Sequence, residues 1–95
     1  LGNPFNVAQY AALTHMVAHV TGHDTDRLIM VGGDCHLYLN SIGGVKEQLT
    51  RESVEGSDPR IVFKRKVDEI DDFVFEDIEI ENYLHHDRIK MPVAV

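Results

Sequence analysis

Asn3-Pro4-Phe5-Asn6-Val7-Ala8-Gln9-Tyr10-Ala11-Ala12-Leu13-Thr14-His15-Met16-Val17-Ala18-His19-Val20-Thr21-Gly22 is the stretch on which the architecture turns. Asn3 can cap free backbone N–H groups, and Pro4 loses nothing at a first helical position, where its missing N–H would have no partner. Phe5, Ala8, Ala12, Leu13, Met16, Val17 and Val20 recur at helical spacing. The pattern predicts a helix over residues 4–21, stopped by Gly22. Its surface carries almost no charge, and Ala8, Ala11 and Ala12 permit close approach. A helix apolar on most sides belongs in an interior, so burial on more than one side is expected.

Outward from that helix, residues 23–26 read as a polar loop. Leu28-Ile29-Met30-Val31 has the length and composition of a strand, Gly32-Gly33-Asp34 interrupts it, and residues 35–39 resume strand-type alternation. Residues 45–51 form a short amphipathic helix, with Val45 and Leu49 on one face. Residues 53–59, with Gly56 and Pro59, form a surface loop. A strand over 60–67 with basic ends, a turn, and a second strand over 78–83 follow, and the tail, 89–95, is apolar.

The composition bounds what such a chain does. Ninety-five residues with 43% apolar and 26% charged side chains make one globular domain at most. The formal charge of −7 opposes binding to nucleic acid or an anionic membrane surface, and no stretch approaches the roughly 18 apolar residues of a membrane span. A single cysteine excludes an internal disulfide framework and fits a reducing, cytoplasmic compartment. Leu1 is not an initiator Met and lacks signal-peptide character, which predicts a piece of a larger polypeptide.

Several clusters invite chemistry. His15, His19 and His23 fall four apart, but Met16-Val17-Ala18 supplies no catalytic Glu between the first two and no third ligand is fixed nearby. Buried or partner-facing histidines are expected, and no metal. Cys35 beside His36 resembles a thiolate with its base; on a strand, neighbours point to opposite faces, so Cys35 is expected to be a small packed residue. Asp34, two before His36, shares its face and can pair with it. Asp68, Glu69, Asp71, Asp72, Glu76, Asp77, Glu79 and Glu81, half of all acidic residues, are expected to form a solvated face.

Asn6 is harder to assign to structure. An amide in the first turn of an apolar helix offers a donor and an acceptor in one plane, the pair needed to read the O4 and N3–H edge of uracil. His36 and Tyr38, two apart, present an imidazole and a phenol on one face, suited to a sugar hydroxyl. Structural roles for all three fit the spacing equally well.

These residues stand in longer strings. Leu1-Gly2-Asn3-Pro4-Phe5-Asn6-Val7-Ala8, Leu13-Thr14-His15-Met16-Val17-Ala18-His19 and Gly33-Asp34-Cys35-His36-Leu37-Tyr38-Leu39-Asn40 closely resemble the C-terminal part of thymidylate synthase. So do Gln48-Leu49-Thr50-Arg51-Glu52, Arg65-Lys66-Val67-Asp68-Glu69-Ile70-Asp71-Asp72-Phe73, Glu76-Asp77 and Ile89-Lys90-Met91-Pro92-Val93-Ala94-Val95. The resemblance implies that residues 1–95 form the C-terminal segment of that domain, of α+β class, a long buried helix with strands of a larger sheet. The family methylates dUMP to dTMP with 5,10-methylenetetrahydrofolate as co-substrate and without a metal. Asn6 matches its pyrimidine-reading asparagine, and His36 and Tyr38 its pair on the deoxyribose 3′-hydroxyl. Leu1, Gly2 and Phe5 match positions that pack folate and nucleotide, and Ala94 and Val95 the segment that closes over folate.

The resemblance also implies what lies elsewhere. The nucleophilic cysteine of the family's Pro-Cys-His motif, its phosphate-binding arginines and its pterin-contacting acid precede the matching segment, so no catalytic residue is expected in this chain, and Cys35 takes no such role. Alone the chain is expected to be inactive; its expected partners are the N-terminal part of the same enzyme and, when complete, a second copy in a homodimer. Ser41, Ser53, Asn82, His85 and Asp87 depart from the family's usual His, Pro, Gly, Pro and Pro. A dUMP hydroxymethylase of the same fold and a non-catalytic nucleotide- or partner-binding fragment are the alternatives.

Overall fold

The computed structural model describes residues 2–92. A long helix, α1 (Asn3–Thr21), is followed by an irregular stretch, a single 3-10 turn at Leu39–Ser41 and a short helix, α2 (Ile42–Leu49). Two strands, β1 (Arg60–Phe63) and β2 (Ile78–Glu81), enclose 3-10 turns at Ile70–Asp72 and Phe75–Asp77. The strands pair antiparallel, with Arg60 opposite Glu81, Ile61 opposite Ile80, Val62 opposite Glu79 and Phe63 opposite Ile78. Helices beside an antiparallel pair confirm the α+β class. None of the described helices is long and apolar enough to cross a membrane.

α1 ends where the sequence places its stop. Gly22 adopts a left-handed conformation, φ 69° and ψ 30°, that only glycine takes without steric cost, and its N–H and that of His23 both reach the Ala18 carbonyl. The start differs by one residue. Gly2 is the N-cap, Asn3 is already helical, and no side chain caps the end; the Phe5 N–H reaches the Gly2 carbonyl at 3.1 Å instead.

The chain covers α1 on one flank only. No α1 residue is buried, and Asn6, Tyr10, Leu13 and Val17, at helical spacing, form an exposed stripe. The expected burial on several sides is therefore not supplied by the chain's own residues. The same openness runs through the molecule. Its accessible surface is 8307 Å², against about 5,500 Å² for a compact monomer of this mass. Its radius of gyration is 16.4 Å, against about 12.4 Å for a compact domain of this length.

What core there is lies between the end of α1 and the strands. Val67 is the one buried apolar residue among those described. Its N–H donates to His19 Nε2 at 3.1 Å. The His19 ring lies 4.8 Å from Phe63 and 5.7 Å from Phe73, which are 5.1 Å from each other. Of the histidines expected to be buried or partner-facing, His19 is half-buried in this cluster, His15 is half-buried and His23 is exposed.

Both strands are shorter than the sequence suggests. The expected strand over 60–67 stops at Phe63 because the chain bends at Lys64 and Arg65. The Arg65 guanidinium turns to grip Asp77, Nε to Oδ1 at 2.6 Å and Nη2 to Oδ2 at 2.7 Å, and Nη2 also reaches the Asp72 carbonyl. The strand expected over 78–83 ends at Glu81, since Asn82 takes φ 53° and its carbonyl accepts from the Asp58 N–H. Asn is among the few residues other than glycine that tolerate this left-handed position.

No strand forms over 28–31 or 35–39. A strand exists by pairing, and no described segment pairs with either stretch. Cys35 is exposed rather than packed. Of the acidic group, most members are solvated as expected, but Asp77 is buried. The carboxylate accepts the Val74 N–H as well as Arg65, and these bonds, Arg65's first, hold its carboxyl below the usual carboxylate range.

Candidate functional site

An open groove of about 1100 Å³ runs between the start of α1, the segment at 36–38, the end of α2 and the stretch 83–92. α1 contributes Gly2 and Phe5, and Phe5 stands 80% exposed. Phe5 reaches the groove because Pro4 and the uncapped start place the first helical turn at its edge.

His36 and Tyr38 line the same groove. Their rings meet edge to face, centroids 5.1 Å apart and planes at 81°. The expected sharing of one face holds although the segment is not a strand: Tyr38 itself is extended, φ −68° and ψ 139°. Asp34 Oδ1 lies 3.3 Å from His36 Nδ1, the pairing expected from their spacing.

Of the remaining sequence candidates, Asn6 is exposed on α1 beside Phe5 but is not among the groove-lining residues. Successive helical residues are about 100° apart, so one of the two faces the groove and the other its flank. Leu1, Ala94 and Val95 lie outside the described residues.

The groove also holds residues whose placement no local pattern announces. Arg51 donates through Nη1 to the Asp87 carbonyl at 2.5 Å and through Nη2 to Glu47 at 2.6 Å. His86 Nε2 donates to the Glu52 carbonyl at 2.7 Å. Together they hold the stretch after β2 against the end of α2. Gly44 allows the same chain to lie close: a Cβ there would meet Met91 Sδ at 2.5 Å. Partners 34 and 36 residues apart are invisible to a periodicity reading; the glycine pair inside a helical pattern was the available signal.

Chemically, the groove offers an acceptor and donor pair at His36 and Tyr38, an aromatic surface at Phe5, and basic groups at Arg51 and Arg88. It holds no nucleophile with an adjacent base, and no metal-ligating cluster occurs among the described residues. Such a wall has the chemistry to bind a small polar ligand with an apolar face.

Known proteins match the whole chain. The family model for thymidylate synthase matches residues 1–95. Thymidylate synthases from two strains of Francisella tularensis subsp. holarctica, FTNF002-00 / FTA and OSU18, are each 48% identical over all 95 residues. The solved structure of thermostable thymidylate synthase A from Bacillus subtilis superimposes with a TM-score of 0.82 at 39% identity, covering 100% of this chain. The chain belongs to the thymidylate synthase family. It spans 34% of the length of these relatives.

Proposed function

We propose that residues 1–95 are the C-terminal segment of an enzyme that methylates dUMP to dTMP, with 5,10-methylenetetrahydrofolate supplying both carbon and hydride. The observation that carries this reading is the groove in which the start of α1 meets the edge-on His36 and Tyr38 rings, in a chain matched along its whole length by the family. The C-terminal placement rests on the strings quoted above, which resemble the last third of the family's chain.

In this reading Asn6 presents its amide to the uracil edge, NH₂ toward O4 and C=O toward N3–H. His36 and Tyr38 hold the deoxyribose 3′-hydroxyl, fixing the pyrimidine relative to α1. Gly2 and Phe5, with Leu1, Ala94 and Val95, pack folate and shut water away from the reacting methylene carbon. Arg51 and His86 orient the stretch leading into that tail. The cysteine that adds to pyrimidine C6 comes from the complementary two-thirds of the enzyme, which also covers the exposed stripe of α1. The complete enzyme is a cytoplasmic homodimer, a compartment that suits the single unpaired cysteine.

The test joins this chain to the complementary part of a family member and assays dUMP with methylenetetrahydrofolate. Formation of dTMP is expected, and Asn6→Asp is expected to shift preference toward dCMP. A 5-hydroxymethyl product would replace the methylase reading by a hydroxymethylase. An assembled protein that neither binds nor converts dUMP overturns both, and an Asn6→Asp variant that still prefers dUMP removes Asn6 from base reading.

A further inference from the structure

Asp34 belongs to no role assigned so far, yet its carboxylate is the one polar contact of the His36 ring among the described residues, Oδ1 to Nδ1 at 3.3 Å. A carboxylate ionised at neutral pH only accepts hydrogen bonds, so Nδ1 carries the proton. A neutral imidazole has one N–H, which leaves Nε2 as a bare acceptor. Tyr38, edge-on to the same ring, brings a phenol that both donates and accepts.

Resting on the nucleotide reading above, we propose that Asp34 is a positioning residue: it fixes the His36 tautomer so that the site selects a sugar whose 3′-substituent donates a hydrogen bond. A free hydroxyl satisfies the arrangement, donating to His36 Nε2 and accepting from the Tyr38 phenol. A substituent that only accepts finds a second lone pair at Nε2 and is disfavoured. Without Asp34 the ring is free to carry its proton on Nε2, which turns that atom into a donor and removes the discrimination.

The size of the effect follows from exposure. The side chains of His36 and Asp34 are 55% and 86% exposed, so the pair adds little to stability. Tautomers differ by small free energies, however, and a several-fold bias needs no more than a weak, well-placed acceptor. Because Asp34 is so exposed, replacing it leaves the fold intact, and a change in ligand preference reads the tautomer rather than misfolding.

The experiment uses the assembled enzyme containing this chain and compares binding of dUMP with that of its 3′-fluoro analogue, which accepts but does not donate at that position. Asp34→Ala is expected to reduce the preference for dUMP several-fold, chiefly by weakening dUMP, whereas Asp34→Glu, which keeps the acceptor, retains it. Nitrogen-15 NMR of His36 is expected to report the proton on Nδ1 in the wild type and a rising Nε2–H population in Asp34→Ala. An unchanged preference in Asp34→Ala, or a wild-type ring already protonated on Nε2, overturns the proposal while leaving the nucleotide reading standing. Failure of the wild type to bind dUMP overturns both, and the NMR tautomer then shows whether the Asp34 and His36 pairing itself persists.

Discussion

Two apolar stretches of this chain, β1 with its surroundings and residues 28–31, have similar composition and opposite fates. Ile61, Val62 and Phe63 are half-buried, paired with β2 and packed through Phe63 on His19 and Phe73. Ile29 and Val31 are 74% and 87% exposed, and every residue from 21 to 40 is exposed. The first region carries its own closure: strand partners fifteen to twenty-one residues on and the Arg65 to Asp77 grip that folds the intervening chain back. The chain flanking the second makes only short-range side-chain polar contacts among the described residues, Arg27 with Asp26 and His36 with Asp34. Apolar side chains create a demand for burial, and order follows only where the same chain supplies the covering surface.

The contrast breaks first at Asp77. Asp77→Ala is expected to cause the largest loss, releasing Arg65, the Val74 N–H and the turn that returns the chain to β2, with hydrogen exchange at 60–63 and 78–81 as the readout. The same carboxylate sets an acid limit. Its folded-state pKa lies below the ordinary value, so its contribution is fully present above the unfolded value of about 3.9. That contribution is lost as pH falls through the folded value. Acid unfolding of the strand pair is therefore expected in that low window in the wild type, and an Asp77→Asn variant that shows the same acid dependence refutes the assignment.

Next in size is Phe63→Ala, expected to cost about 2–3 kcal/mol in urea titration, below the roughly 3–5 kcal/mol of a fully buried aromatic because the ring is half-buried. His19→Ala follows at about 1–2 kcal/mol, since it leaves the N–H of buried Val67 without its acceptor. His19→Gln, able to accept through its amide oxygen, is expected to recover part of that loss. The smallest effect sharpens the comparison from the other side. Ile29→Ser with Val31→Ser is expected to change the stability of the chain alone by less than about 0.5 kcal/mol. A larger loss in the chain alone would mean that these residues are covered after all.

Legibility followed the range of the interactions. The span of α1 and its stop at Gly22 were readable because helix period and a left-handed cap are local properties. The Asp34 and His36 pair and the His36 and Tyr38 pair were readable from a spacing of two, which survived the loss of the strand meant to justify it. The burial of Asp77 was not, since one acid among eight is singled out only by Arg65 arriving from twelve residues away. Nor were the shortened strands, whose ends depend on the bend at Arg65 and on the left-handed Asn82.

The sequence by itself determined the family, the α+β class, the long helix and most of the residues proposed to meet a nucleotide, because these rest on local period, caps and contiguous strings. Only the tertiary structure decided which of them share a groove, that Arg51 and His86 hold its far wall, and that α1 is left bare along Asn6, Tyr10, Leu13 and Val17. Such outcomes depend on which distant surfaces the chain brings together, and a hydrophobic pattern states that a face must be covered without saying by what.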